Sequence, residues 1–286
     1  MTSEKKWIEN LEKAASLLKE ADALLIGAGA GMGMDSGLPD FRSTGGLWRK
    51  KRSIFWLWGR SYASMSNPGW FRKKPRESWG FYGSRLLEYR AKEPHKGFQI
   101  LRNWAEERGL DTFVFTSNVD EHFQKAGFSP EQILECHGSL HYVQCSTPCH
   151  DGIWSIKNFD FQIDPKTEMV KGDLPTCPKC GKPARPNLLL FGDPDWLEER
   201  MLKQRAQFEA WQERIQGKRL VVVECGAGTA VPTVRMRCED FFCLEAPNLV
   251  RINPNDIQGP FGGIFLDRGA LESLQAIDRL VSPSRI

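Results

Sequence analysis

A short apolar run, Ala23-Leu24-Leu25-Ile26, runs straight into Gly27-Ala28-Gly29-Ala30-Gly31-Met32-Gly33. An apolar run without polar alternation reads as a strand buried on both faces of a parallel sheet. Glycines after such a strand permit positive φ and let the backbone come close to a phosphate, with the N–H groups of the next helix facing it. Three further runs of the same kind follow: Thr112–Thr116, Arg219–Cys225 and Leu249–Asn253. A helical stretch near residues 95–108 precedes the first of them. Strands separated by helical patterns predict a doubly wound α/β sheet.

Two stretches break the alternation. Residues 49–90 are rich in Trp, Phe, Tyr, Arg and Gly and read as helices and loops, and residues 141–185 carry four cysteines among turn signals. The expected organisation is a Rossmann-like parallel-sheet domain from 1–48, 91–140 and 186–286. A smaller, discontinuous lobe would come from a helical insertion (49–90) and a cysteine-bearing insertion (141–185).

The net charge of +3 is too small to imply a nucleic-acid partner. Basic runs such as Arg49-Lys50-Lys51-Arg52 read as solvated loop charge, or as a docking point for an acidic partner. No segment approaches the roughly 18 apolar residues of a membrane span. Trp7, Ile8, Leu11, Ala14, Ala15 and Leu18 are spaced as one face of an amphipathic helix, not as a secretory signal. A cytoplasmic location is expected, and the eight cysteines then read as thiols or metal ligands.

The glycine loop alone is ambiguous. The acidic residue usual at the end of a second strand is not evident, and a glycine turn without a ligand fits equally well. Its continuation, Asp35-Ser36-Gly37-Leu38-Pro39-Asp40-Phe41-Arg42, favours a nucleotide. Arg42 could pair with a phosphate, Asp40 could hold Arg42 or a backbone amide, and Phe41 could shield a reactive sugar carbon from water. Cys145-x-x-x-Cys149 and Cys177-x-x-Cys180, with Pro178, Lys179 and Gly181, have the character of a zinc knuckle. Four thiolates suit tetrahedral Zn²⁺ and leave no open position, so the expected ion is structural. His150 is an alternative ligand, and four free thiols are the reading without metal.

Together these segments resemble the sirtuin family of NAD-dependent protein deacylases. The matching pieces occur in the family's order: Gly27-Ala28-Gly29, Ser36 to Arg42, Gly46-Leu47-Trp48, Pro94-His95, Thr116-Ser117-Asn118-Val119-Asp120, Ala126-Gly127, His137-Gly138, Arg185-Pro186-Asn187, Phe191-Gly192-Asp193 and Ile252-Asn253. The resemblance implies that NAD is consumed as a co-substrate. The acyl-lysine oxygen attacks the nicotinamide ribose, nicotinamide leaves, and a histidine acts as general base on the ribose hydroxyls. His137 matches that histidine and Asn118 the ribose-positioning residue. Asp120 matches the contact to the nicotinamide amide. Gly27, Ala28, Gly29, Asp40, Phe41, Arg42, Val119, Gly226 and Asn253 fall in the matching NAD-binding segments. Phe191, Gly192 and Asp193 match the segment that pairs with the substrate peptide backbone by strand addition.

Departures cluster around the nucleotide. The family usually has serine where Gly31 stands, glutamine where Ser117 stands, and leucine-histidine where His122-Phe123 stands; a late Gly-Thr-Ser motif is here Gly226-Ala227-Gly228-Thr229. Losing the glutamine amide removes ribose hydrogen bonds worth about 1 kcal/mol each. Thr116–Phe128 and Gln144–His150 are similar to the macrodomain-linked bacterial sirtuins, a branch associated with protein ADP-ribosylation and lipoyl-carrier proteins. That branch tends to lack the catalytic histidine, which this chain keeps. Tyr82 and Arg85 look like the pair that binds the acyl carboxylate in sirtuins preferring succinyl or malonyl lysine. At i and i+3 of a helix both tips could reach one carboxylate; packing by Tyr82 and an ion pair at Arg85 fit equally.

The leading expectation is an NAD-dependent lysine deacylase acting on an acylated protein or peptide, with a preference for acidic acyl groups in view. A protein mono-ADP-ribosyltransferase, with a separate macrodomain or lipoyl-carrier partner, is the alternative. A catalytically weak NAD-binding sensor is the third.

Overall fold

A computed structural model describes residues 3–38, 66–243 and 246–282. Helix α1 (Ser3–Glu20) leads into β1 (Ala23–Ala28), and the glycine loop continues as a 3-10 helix over Ala30–Ser36. Then come α2 (Gly69–Lys73), α3 (Pro75–Ala91), α4 (Lys96–Glu107), β2 (Asp111–Thr116), α5 (His122–Lys125), β3 (Ile133–Glu135) and β4 (Gly138–Cys145). The cysteine-bearing segment holds β5 (Ile153–Ser155), β6 (Gln162–Ile163), β7 (Val170–Lys171) and β8 (Ala184–Leu188). The chain closes with α6 (Glu199–Arg214), β9 (Leu220–Cys225), α7 (Thr233–Asp240), β10 (Leu249–Ile252), β11 (Ile264–Leu266) and α8 (Ala270–Val281).

The expected parallel sheet is present, with six strands in the order β11-β10-β9-β1-β2-β3. Successive side chains of a strand point to opposite faces. Leu24 and Ile26 therefore join a core under α1, α4 and α8, with Leu18, Phe98, Trp104, Val114 and Ile277. Ala23 and Leu25 join a second core under α6 and α7, with Phe113, Phe115, Phe208, Trp211 and Val222. Helices on both faces are why β1 needs apolar residues at every position. The two strands not anticipated, β3 and β11, are three residues each, too short for a periodic signal.

A further apolar core lies beside the sheet. Phe71, Trp79, Phe81, Tyr82 and Tyr89 from the helical segment pack with Leu140, Val143, Phe161, Val170, Ala184 and Leu188. The antiparallel sheet β5-β4-β8 and the β6–β7 hairpin carry the strand side of this core. Trp79 donates its indole N–H to the Ala184 carbonyl (2.8 Å) and stacks on Phe161 at 5.0 Å between centroids. Arg90 donates to the carbonyls of Phe159 (2.7 Å) and Ile156 (2.6 Å). Segments distant in sequence are thereby held together as one body. Among the described residues, no helix is long and apolar enough to cross a membrane.

Candidate functional site

A cleft of about 780 Å³ opens where the loops after β1, β2, β9 and β10 meet the α3, β4 and β8 segments. Its lining includes Gly29, Ala30, Gly31, Asn118, Val119, Asp120, His137, Gly226 and Asn253 on one side. Tyr82, Arg85, Tyr89, Leu140, Leu188, Phe191 and Gly192 line it on the other.

The glycine loop meets the cleft two residues later than its sequence suggests. Gly27 and Ala28 were expected to bind the nucleotide, but both belong to buried β1 and neither lines the cleft. Gly27 answers a packing demand, because a Cβ there would overlap the Cys238 thiol of α7 and meet Val234 at 3.3 Å. The tripeptide that lines the cleft is Gly29-Ala30-Gly31. A Cβ on Gly31 would lie 2.7 Å from the Gly226 Cα, and Gly226 itself has φ +63°. The two backbones touch, and the Gly31 N–H donates to the Gly226 carbonyl (3.0 Å). Serine at position 31 has no room in this arrangement, which accounts physically for one of the departures noted above. Asp40, Phe41 and Arg42, with Gly46-Leu47-Trp48, lie outside the described residues.

The loop is anchored from its far end. His95 Nδ1 accepts from the Gly97 N–H (2.9 Å), capping α4, so its Nε2 carries the proton and donates to the Met32 carbonyl (2.8 Å). The His95 N–H donates to Ser36 Oγ (3.0 Å). Burial lowers the imidazole's proton affinity, consistent with this neutral tautomer.

Asn118 sits just past β2. Thr116 Oγ1 donates to the Ala28 carbonyl (2.9 Å) and accepts from the Asn118 N–H (3.0 Å). Asn118 Nδ2 donates to the Gly29 carbonyl (3.0 Å), which joins this residue to the glycine loop. Asp120 is buried, and its Oδ1 accepts from the His122 N–H (2.9 Å). Burial pushes its carboxyl up to about 6. The neighbouring Glu121 is pushed up to about 7 by burial and by Glu135. His141, 3.0 Å away, is driven down to about 3 by burial and nearby cations, Arg90 first among them. Their contact is thus a hydrogen bond involving a neutral imidazole rather than an ion pair.

His137 lies between β3 and β4, half-buried at the cleft. Its carbonyl accepts from the Leu189 N–H (3.1 Å), and its Nε2 lies 3.5 Å from Thr233 Oγ1 at the start of α7. Asn253 lines the cleft, but its amide is engaged locally. Nδ2 donates to the Ala227 carbonyl (3.0 Å), and Oδ1 accepts from the Asn255 and Asp256 N–H groups (both 3.0 Å).

Tyr82, Arg85 and Tyr89 recur at helical spacing on α3 and present one face to the cleft. All three are buried, and the Arg85 guanidinium stacks 3.4 Å from the Phe81 ring centroid. Phe191 is 55% exposed at the cleft and Gly192 has φ +59°. The Asp193 side chain points away from the cleft. Its carboxylate is buried and bidentate on the Arg185 guanidinium (2.7 and 3.0 Å), both side chains 0% exposed. It holds the 185–193 turn from within. Sequence reasoning passed over Tyr89 and Leu140, which line the cleft, and Thr233 beside His137; none belongs to a local motif, and the fold alone brings them here.

The four cysteine thiols gather as expected. The sulfurs of Cys145, Cys149, Cys177 and Cys180 all lie within 4.8 Å of one another, with Cys145–Cys180 at 3.7 Å and Cys149–Cys177 at 3.6 Å. Tetrahedral zinc with Zn–S bonds of about 2.3 Å separates its sulfurs by nearly 3.8 Å, so the set fits that ion. His150 Nε2 lies 3.3 Å from Cys177 Sγ, where it can donate to the sulfur while the four thiolates ligate.

The Sir2 family model matches residues 29–222. NAD-dependent protein deacylase 2 of Archaeoglobus fulgidus is 32% identical over 207 residues, covering 72% of this chain and 70% of the relative. An NAD-dependent protein deacylase of Pyrococcus furiosus is 30% identical over 183 residues, covering 64% of this chain and 66% of the relative. Among solved structures, a Sir2 homologue mutant complexed with ADP ribose aligns with TM-score 0.66 at 23% identity over 95% of this chain and 96% of its own. A Sir2 homologue–NAD complex aligns with TM-score 0.65 at 23% identity over 96% and 94%. At that identity the two structures speak for the fold.

Proposed function

Because this chain belongs to the Sir2 family, we propose that it is an NAD-dependent protein lysine deacylase whose acyl-lysine substrate enters between Phe191 and α3. The observation that carries the reading is the convergence of His137, Asn118, Asp120 and the Gly29–Gly31 loop on one cleft. The names of the relatives, NAD-dependent protein deacylases, support the same reaction. When bound, NAD supplies an electrophilic ribose carbon and the nicotinamide leaving group.

The residues divide the remaining work. Gly29, Ala30, Gly31 and Gly226 offer backbone without bulk, which suits close approach of a pyrophosphate. Asn118, tethered to Gly29, places an amide beside the ribose. The Asp120 carboxylate would accept from the nicotinamide amide, a contact that needs the charged form and so weakens below about pH 6. His137 would take the proton of a ribose hydroxyl. The four thiolates of the cysteine quartet would hold zinc that shapes the strand side of the cleft and touches no substrate.

A finer reading concerns the acyl group. Arg85 is a buried cation in a wall that Leu140, Leu188 and Leu190 make largely apolar, and Tyr82 lines the same wall. A chain ending in a carboxylate, such as succinyl or malonyl, would gain charge-assisted hydrogen bonds there. Substrate proteins of the lipoyl-carrier type, and a separate macrodomain partner, rest only on the resemblance of 116–128 and 144–150.

Purified protein with NAD and a panel of acyl-lysine peptides should release nicotinamide in step with deacylation. His137→Ala should lower turnover at least a hundredfold while changing NAD affinity little. Labelled NAD that marks a protein covalently, without any acyl group, would instead favour ADP-ribosyl transfer. Tight NAD binding with no nicotinamide released by any peptide would favour a sensor.

A further inference from the structure

Resting on the Sir2-type reading above, we propose that Glu121 is a positioning residue that latches the Asn118–Asp120 loop to β4, the strand that begins directly after His137. Glu121 has φ +59°, a left-handed backbone that side chains other than glycine rarely adopt. Such a conformation persists where surrounding contacts hold it.

The contacts of the Glu121 side chain come from β4. Ser139 Oγ donates to Glu121 Oε1 (3.2 Å), and His141 Nδ1 lies 3.0 Å from Glu121 Oε2. Ser139 Oγ also accepts from the His141 N–H (3.2 Å), and the Leu140 N–H donates to the Val119 carbonyl (3.2 Å). Three consecutive residues of β4 thus grip the loop on either side of Asp120, at Val119 and at Glu121. Asp120 directly precedes the latch on the loop side of this junction, and His137 stands two residues before Ser139 on the other side.

A simpler role, capping the short α5, does not account for the carboxylate. Its side chain makes no cap hydrogen bond, and the N–H at the helix start is taken by Asp120 Oδ1. Neither does a surface ion pair, since the group is largely buried and its nearest hydrogen-bond partners are a hydroxyl and a neutral imidazole. Other charges acting on the junction are Glu135 of β3, Arg200 of α6, Lys157 after β5 and Arg90 of α3. Arg200 is itself paired with Glu135. The latch makes the leaving-group contact at Asp120 and the base at His137 parts of one rigid unit.

The test compares wild type with Glu121→Gly, Glu121→Gln, Ser139→Ala and the double variant Glu121→Gly/Ser139→Ala. Glycine removes the carboxylate yet accepts the left-handed backbone, so the fold should persist, as a thermal melt will report. Amide hydrogen exchange is read over residues 116–122, together with kcat and KM for nicotinamide release. Glu121→Gly should speed exchange in that segment about tenfold, leave α6 unchanged, and lower kcat about tenfold at constant peptide KM. Glu121→Gln should restore most of both, because its amide can donate to His141 Nδ1 and its oxygen can accept from Ser139. The double variant should be no worse than Glu121→Gly alone. Unchanged exchange and kcat in Glu121→Gly, or losses that simply add in the double variant, would overturn the latch. Should wild type turn over no peptide, the deacylase reading fails, and the exchange data still decide the latch.

Discussion

The two walls of the cleft are built from different material. The sheet-side wall is largely backbone: Gly29-Ala30-Gly31, Gly226-Ala227-Gly228 and the Asn253–Asp256 turn, at the carboxyl ends of β1, β9 and β10. The opposite wall is side chain: Tyr82, Arg85 and Tyr89 from α3, with Leu140, Leu188 and Phe191 around them. Backbone amides recognise what every copy of a nucleotide shares, and tolerate almost no change because they already touch each other. Side chains recognise what varies between substrates, and can change without moving the frame. A common co-substrate would therefore meet the first wall, and a selectable acyl-peptide the second.

Removing zinc should separate the walls most sharply. Structural zinc in small modules contributes on the order of 10 kcal/mol. Chelation or Cys177→Ala should unfold the strand side of the second wall and abolish peptide turnover, while the six-stranded sheet keeps its far-UV signature. Metal analysis should find one zinc per chain, and a folded, active, zinc-free protein would break this part of the comparison.

Gly226→Ala probes the first wall. The added methyl would overlap the Gly31 backbone and sit at positive φ, a strain of about 3 kcal/mol or more. Calorimetric NAD binding should be lost, or the melting temperature should fall by several degrees. An equal change at Tyr89 (Tyr89→Phe) should leave NAD affinity intact.

Asp120 lies at the junction and gives a pH signature. Its carboxyl is held near 6 in the folded chain against 3.8 in the unfolded one, so folding favours the protonated form. That stabilisation is complete below about pH 4 and is lost as pH rises through 6, about 3 kcal/mol at most. Denaturant melts should show Asp120→Asn gaining stability over wild type at pH 8 but not at pH 4. Nicotinamide release should fall in the same variant at pH 8 and differ little from wild type at pH 4, where Asp120 is already protonated.

The smallest expected effect belongs to the second wall alone. Arg85→Met should cost about tenfold in kcat/KM for succinyl-lysine and much less for acetyl-lysine. Equal losses for both would leave Arg85 as a packing residue stacked on Phe81.

Much of this was legible in the sequence, and the misses have physical reasons. The runs at Ala23, Thr112, Leu220 and Leu249 announced buried strands because helices cover both faces of the sheet. The two peripheral strands, β3 and β11, were too short to show any period. The glycine loop was placed two residues early because Gly27 and Ala28 look like a turn yet serve a strand. Only the approach of the Cys238 thiol explains that glycine. The inward turn of the Asp193 carboxylate left no trace in the sequence because its partner, Arg185, is identified by burial and not by spacing.

What the amino-acid sequence determined by itself is local and chemical: strands that must be buried, glycines that strip the backbone bare, four thiols at metal spacing, and one histidine beside a glycine. What only the tertiary structure decided is which of these groups share a cavity. His137, Arg85 and Asn118 meet because three separate segments converge, and Glu121 acquires a role because β4 passes beside it. Desolvation and partner choice depend on residues far along the chain, so the carboxyls of Asp120 and Glu121 rise, and Asp193 turns inward, only once the fold has closed around them.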